Sequence, residues 1–239
     1  MRSWLSVLVT DAKSKKGADI PIAPSLYSLS NKMDNSLLAV RDITHKYIVV
    51  GKECQEIRDN QLGWDVTDFG CGDFDKIGLT ALTLRNGNQK LPQYQKPYAE
   101  KLLIARENQV TPMHFHWYKM EDIINRGGGI LVMKLYRATE NEELDMVSDV
   151  DIVSDGVKMT LPAGGVLELA PGQSVTYTQK LYHSFWGKEG FGDVIVGEVS
   201  MCNDDAADNR FLEAPGRFPA IEEDEEPYRL LCNEYPKAK

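Results

Sequence analysis

The sequence predicts an all-β fold, a sandwich or closed barrel in one large domain, and three observations point that way. Short apolar runs separated by Gly, Pro, Asn and Asp recur along most of the chain. At 239 residues and 42% apolar composition, the chain can bury one sizeable core rather than two. His114 and His116 stand two apart, the spacing that points both side chains to one face of a strand.

The elements follow in chain order. The apolar stretch 4–9 after Arg2 is too short to span a bilayer, and Asp11 and a Lys cluster follow it without a small-residue cleavage site. From 13 to 32 Lys, Pro, Ser and Gly mix without period, so residues 1–32 read as a disordered N-terminal extension or an upstream start before Met33, and 33–239 as the single barrel domain. A helix is expected after Met33, through Leu37, Leu38, Val40 and Ile43. Strands are expected at 46–50, 79–85, 101–106, 130–137, 157–161, 166–169, 174–179 and 193–201. Asn86-Gly87-Asn88 ends one strand, and Ala170-Pro171-Gly172-Gln173 turns the chain between two others. Arg126-Gly127-Gly128-Gly129 lacks the Lys-Ser/Thr of a phosphate-binding loop and reads as a tight turn before the strand at 130–137.

Composition narrows the partners. A formal charge of −9 supplies no basic footprint for nucleic acid or for an anionic membrane, so a small neutral substrate is the easier fit. Cys54, Cys71, Cys202 and Cys232 are widely spaced with no CxxC pair, which suits free thiols in a reducing cytoplasm. The acidic run 222–226 reads as a solvated face, because consecutive acids lack the alternating spacing and central Gly of a calcium loop. His45 has no ligand-like company and reads as structural or surface.

The other three histidines form one constellation. His114 and His116 can grip a metal from one wall, a turn through 117–120 returns Glu121 to the same point, and His183 in LYHSFW can supply a fourth ligand from a distant strand. Imidazoles with one carboxylate suit Mn, Fe, Ni, Co or Zn.

The string His114-x-His116-x4-Glu121-x6-Gly128 resembles the first metal motif of the cupin superfamily, and Pro171-Gly172 followed by His183 resembles a stretched second motif. Asn108 stands where that pattern has Gly, and Gly187 where it has Asn. A closer resemblance runs from about Gly63 to Pro236. The blocks GWDVTDFGCGDFDKIGLTALTLRNG, YAEKLLIARENQVTPMHFHWYKMEDIINRGGG, LYHSFWG, GEVSMCNDDAADNRF and GRFPAIEEDEEPYRLLCNEYP are similar to the D-lyxose ketol-isomerase family of cupins. The resemblance implies a cupin-type β-barrel, a jelly roll with a few peripheral helices. It also implies a homodimer that uses Mn to interconvert D-lyxose with D-xylulose and D-mannose with D-fructose.

Such a reaction needs two things: a charge that stabilises the enediolate oxygen, which a bound divalent ion supplies, and a base that shuttles a proton between C2 and C1. Glu213 is the first candidate for that base and Glu198 the second, each with a structural ion pair as its alternative. Lys101 either donates to a substrate oxygen or snorkels to the surface. Arg217 orients Glu213 or binds a hydroxyl, and among Trp64, Trp117, Phe185 and Trp186 it is Trp117 and Phe185, beside the ligands, that are expected to wall the sugar. Two rival readings are an oxygenase using iron in the same ligands and a non-catalytic sugar-binding cupin.

Overall fold

The computed structural model describes residues 52–213 and 230–236. The extension at 1–32, the helix after Met33, the strand at 46–50, His45, Arg217 and the acidic run 222–226 therefore lie outside the described residues. A 3-10 turn (Lys52–Cys54) and one short helix, α1 (Gln55–Asp59), precede the strands. These are β1 (Gly63–Thr67), β2 (Leu79–Arg85), β3 (Tyr98–Ala105), β4 (Thr111–Phe115), β5 (Glu121–Gly128), β6 (Leu131–Ala138) and β7 (Leu144–Asp145). There follow β8 (Val150–Ser154), β9 (Val157–Leu161), β10 (Val166–Leu169), β11 (Ser174–Tyr177), β12 (Leu181–Gly187), β13 (Val194–Met201) and β14 (Arg210–Phe211). Among the described residues no helix is long and apolar enough to cross a membrane.

The strands pair antiparallel into two sheets, one in the order β1-β2-β3-β13-β5-β11-β8-β9 and the other β10-β6-β12-β4-β14 with β7 on β6. Sheets of this kind bury alternate residues of each strand against one another, and the period of two is visible here. On β3, Leu103 and Ala105 join the central core while Leu102 and Ile104 pack outside with Trp64, Val66 and Leu82. On β6, Leu131, Met133 and Leu135 face the core and Tyr136 faces out, towards Phe115 and Tyr182. The fold is the expected all-β, cupin-type barrel.

Expected and observed strands coincide at β2, β9 and β10, and differ by a few terminal residues at β3, β6, β11 and β13. β1, β5, β8 and the two-residue β7 and β14 have no counterpart in the expected set, and β4 and β12 were expected only through the histidines they carry. β5 carries Asp122, Asn125, Arg126 and two glycines, so it shows no apolar run; it is a strand because β11 and β13 flank it on both sides. The tight turn expected at 126–129 is corrected accordingly. Gly127 and Gly128 end β5 with φ of 150° and 96°, where the pairing with β13 slips register, and the chain reverses only at 129–130. The turn at 170–173 closes as expected, with Gln173 N donating to Ala170 O at 3.0 Å and Gly172 at φ 93°.

Candidate metal centre and active site

The smaller sheet carries the histidines. β4 sends Met113 and Phe115 to the outer cluster, which leaves His114 on the inner face, and on β12 Tyr182 faces out while Leu181, His183 and Phe185 face in. His114 and His183 are cross-strand partners, their rings 4.2 Å apart. His116 follows the end of β4, at the start of a bend that two bonds to the Asp208 carboxylate hold, from Tyr118 N and Lys119 N at 2.9 Å each. That bend delivers the chain to β5 and so brings Glu121 across from the larger sheet. Ligand atoms of the three histidines lie within 4.8 Å of one another, and Glu121 Oε1 is 3.5 Å from His116 Nε2 and 3.3 Å from His183 Nε2.

Each ring is fixed from behind. His114 Nδ1 donates to Pro112 O at 2.8 Å, His116 Nδ1 to Asp208 O at 2.7 Å and His183 Nδ1 to Leu181 O at 2.9 Å. A proton on Nδ1 leaves Nε2 with its lone pair, the state in which imidazole ligates. Burial favours the same neutral form, driving the His114 pKa well below its ordinary value and that of His183 down to about 4. For Glu121 burial opposes charge, but Lys119 and the imidazoles outweigh it and hold the carboxyl well below its usual range. Its Oε2 is buried and makes no well-aligned hydrogen bond, although the Lys119 ammonium lies 2.7 Å away. Three inward lone pairs beside an ionised, under-bonded carboxylate fit a divalent cation.

A cleft of about 640 Å³, counting its open mouth, reaches these residues and is lined also by Asp65, Phe69, Lys101, Lys119, Phe185, Glu198 and Asp205. On the larger sheet Lys101 and Glu198 are cross-strand partners. Asp205 accepts from the Lys101 ammonium at 2.8 Å, and these opposite charges keep Lys101 cationic and Asp205 ionised despite their burial. Lys119 bonds Glu198 Oε1 at 2.8 Å.

Of the residues expected from sequence, His114, His116, Glu121, His183, Lys101, Glu198 and Phe185 come together along this cleft. Glu213 does not line it; the side chain is exposed, two residues past β14. Trp117 packs on the outer cluster, edge-on to Phe115 with Nε1 donating to Glu142 Oε1 at 2.6 Å. Lys119, Asp65 and Asp205 were not anticipated. Lys119 had a signal, since it stands two residues before Glu121 in extended chain; the two aspartates had none, because only the fold brings 65 and 205 beside 101.

An antiparallel barrel whose inner wall gathers three imidazoles and a carboxylate defines a cupin-type protein with a histidine group that could hold a metal. Comparison with known proteins makes this more specific. The D-lyxose isomerase family profile matches residues 42–235. A D-lyxose/D-mannose isomerase of Serratia proteamaculans is 56% identical over 76% of this chain and 79% of its own length, and one of Escherichia coli O157:H7 is 53% identical over the same shares. The ligand-free L-ribose isomerase of Cellulomonas parahominis shares the fold at 17% identity, with a TM-score of 0.51 over 88% of this chain and 98% of that one. The chain belongs to the D-lyxose isomerase family, and it is an aldose–ketose isomerase.

Proposed function

We propose that the protein interconverts D-lyxose with D-xylulose and D-mannose with D-fructose, with Glu198 as the group that moves the proton. What carries this reading is the placing of Glu198 on the same cleft as the three-histidine, one-carboxylate set. Bound there, a divalent cation supplies positive charge to offset the negative oxygen that develops when a proton leaves the carbon beside a carbonyl.

The protein's own groups do the rest. Glu198 takes the C2 proton and returns it to C1, one oxygen tethered to Lys119 and the carboxylate shielded from bulk water. Lys101, cationic and anchored by Asp205, donates to a sugar hydroxyl. Phe185 offers an apolar face to sugar C–H groups. Glu213 and Arg217 remain the alternative pair, with Glu213 exposed and Arg217 outside the described residues. Mn is the proposed ion, with Zn, Co, Ni and Fe as competitors for the same ligands. We take the working form to be a cytoplasmic homodimer and residues 33–239 to be its single domain; light scattering and limited proteolysis test these two assignments.

Ketose formation from a panel of aldoses, measured after metal analysis, tests the activity. Chelation abolishes turnover and Mn restores it; full activity without metal would overturn the reading. Glu198→Gln keeps shape and metal and loses about two or more orders of magnitude in kcat, whereas Glu213→Gln stays near wild type. The reverse pattern would move the base to Glu213. In deuterated water the ketose carries solvent deuterium at C1 to the extent that Glu198 exchanges its proton before returning it, whereas a hydride shift would carry none.

A further inference from the structure

The Lys119 ammonium, in a residue only 5% exposed, donates to Glu198 Oε1 at 2.8 Å and to Asn203 Oδ1 at 3.0 Å, and it lies 2.7 Å from Glu121 Oε2 in an ion pair. Two of these are charged groups of the site. The third is a neutral amide just beyond β13, and its own placement is unusually well determined. Asn203 N donates to Asn86 Oδ1 at 3.0 Å while Asn86 Nδ2 donates back to Asn203 O at 3.1 Å. Asn86 is buried and is in turn held by Asn60 Nδ2, which donates to its carbonyl at 3.0 Å. Asn60 follows α1, and Asn88 Nδ2 donates to its side-chain oxygen at 3.2 Å. The Asn203 Nδ2 also reaches Ser200 Oγ at 3.4 Å, and that hydroxyl lies 3.3 Å from Glu198 Oε1. A backbone clamp thus holds Asn203 where its side chain meets Lys119 and Ser200.

We propose that Asn203 is a positioning residue for proton transfer: it anchors the Lys119 ammonium and thereby sets the oxygen that Glu198 presents to the sugar. An ammonium sits at the end of a flexible four-carbon stem, so its position depends on the acceptors that anchor it. With Asn203 in place the ammonium is hydrogen-bonded on two sides, and Glu198 Oε1 is tied down. Among the described residues none hydrogen-bonds the other oxygen, Oε2, which is left for the substrate carbon. Without Asn203 a buried ammonium proton loses its acceptor, and Lys119 shifts to find another, taking Glu198 with it. A displacement of about 1 Å in a proton-transferring group costs up to about a hundredfold in rate.

The inference rests on the reading of Glu198 as the base, and its test separates the two. Asn203→Leu and the smaller Asn203→Ser, which cannot reach Lys119, are each compared with wild type for metal content, KM, kcat and folded circular dichroism. The second variant stands in if the first does not fold. Expected is a fall of about ten- to a hundredfold in kcat, with KM and bound metal within about twofold of wild type. Because Asn203 acts through Lys119, either substitution placed in Lys119→Met lowers kcat per bound metal by less than about twofold further, whereas a merely structural asparagine would cost the same in both backgrounds. Wild-type kcat in the Asn203 variants, or equal losses in both backgrounds, overturns the inference. If Glu198→Gln turns over normally, it is the assignment of the base that falls.

Discussion

At the scale of single residues, the site is built by groups whose worth lies in what they hold. Asp208 illustrates this: its carbonyl accepts from His116 Nδ1 and its carboxylate from the amides of Tyr118 and Lys119, so one residue aims a ligand and shapes the bend that delivers Glu121. Asp208→Ala removes the bend's clamp while leaving every ligand present, and metal titration of the purified variant is expected to show affinity lowered by about 10- to 100-fold. Unchanged affinity would mean that β5 alone fixes Glu121. Asp65 shows the opposite economy. Burial, then the nearby Asp205 charge, raises its pKa from 3.8 to about 6. The folded protein therefore holds this proton more tightly than the unfolded chain. The resulting stabilisation is fully present below pH 3.8 and is lost as pH rises through about 6, up to roughly 3 kcal/mol in all. Asp65→Asn has no charge to bury and can still accept from Val66 N at the 2.9 Å contact. Urea unfolding of the metal-free proteins from pH 4 to 7.5 should show the variant gaining on wild type as pH increases. A constant difference would show that Asp65 ionises normally.

At the scale of elements, period-two alternation does most of the work, and it also sets what could be read in advance. β2, β9 and β10 were legible because each is a short run closed by turn residues, and β4 because His114 and His116 need a common face. β5 was not, since its polar residues and glycines lack an apolar signature and its strand character comes from two neighbours distant in sequence. The close of β5 is where this matters most. A Cβ on Gly129 would stand 2.2 Å from Gly192 O and 2.7 Å from Phe191 O, backbone atoms that no rotamer change can move. Gly129→Ala should therefore destabilise the fold by about 2–4 kcal/mol in urea unfolding, and the pairing of β5 with β13 should loosen first. Hydrogen exchange along both strands checks the second point.

At the scale of the whole molecule, two sheets whose strands interleave along the chain share one interior, apolar where Leu103, Ile123, Met133 and Val196 meet and charged where Lys101, Lys119, Glu121 and Glu198 do. All four cysteines are free in this fold: Cys71 is exposed, Cys202 half-buried, Cys54 and Cys232 buried. Without reductant, a thiol reagent should titrate four groups in the unfolded protein. In the folded protein Cys71 should react first, its rate still climbing at alkaline pH because burial raises the thiol above its usual 9.0. Two disulfides after unfolding would exclude a reducing compartment.

The sequence by itself determined the all-β class, several strands and the four residues suited to a metal, because alternation, turn chemistry and the His-x-His spacing are local properties carried within a few residues. Only the tertiary structure decided which carboxylate stands beside them. Glu198 stands near the start of the family-like block GEVSMCNDDAADNRF and Glu213 just past its end, and charge alone does not distinguish them; pairing of β13 with β3 and β5 turns the first into the cleft, while the second emerges past a two-residue strand into solvent. The same holds for Lys119, Asn203 and Asp205, which meet because strands far apart in the chain become neighbours in the sheet, and burial among opposite charges is a property of that assembly rather than of any segment.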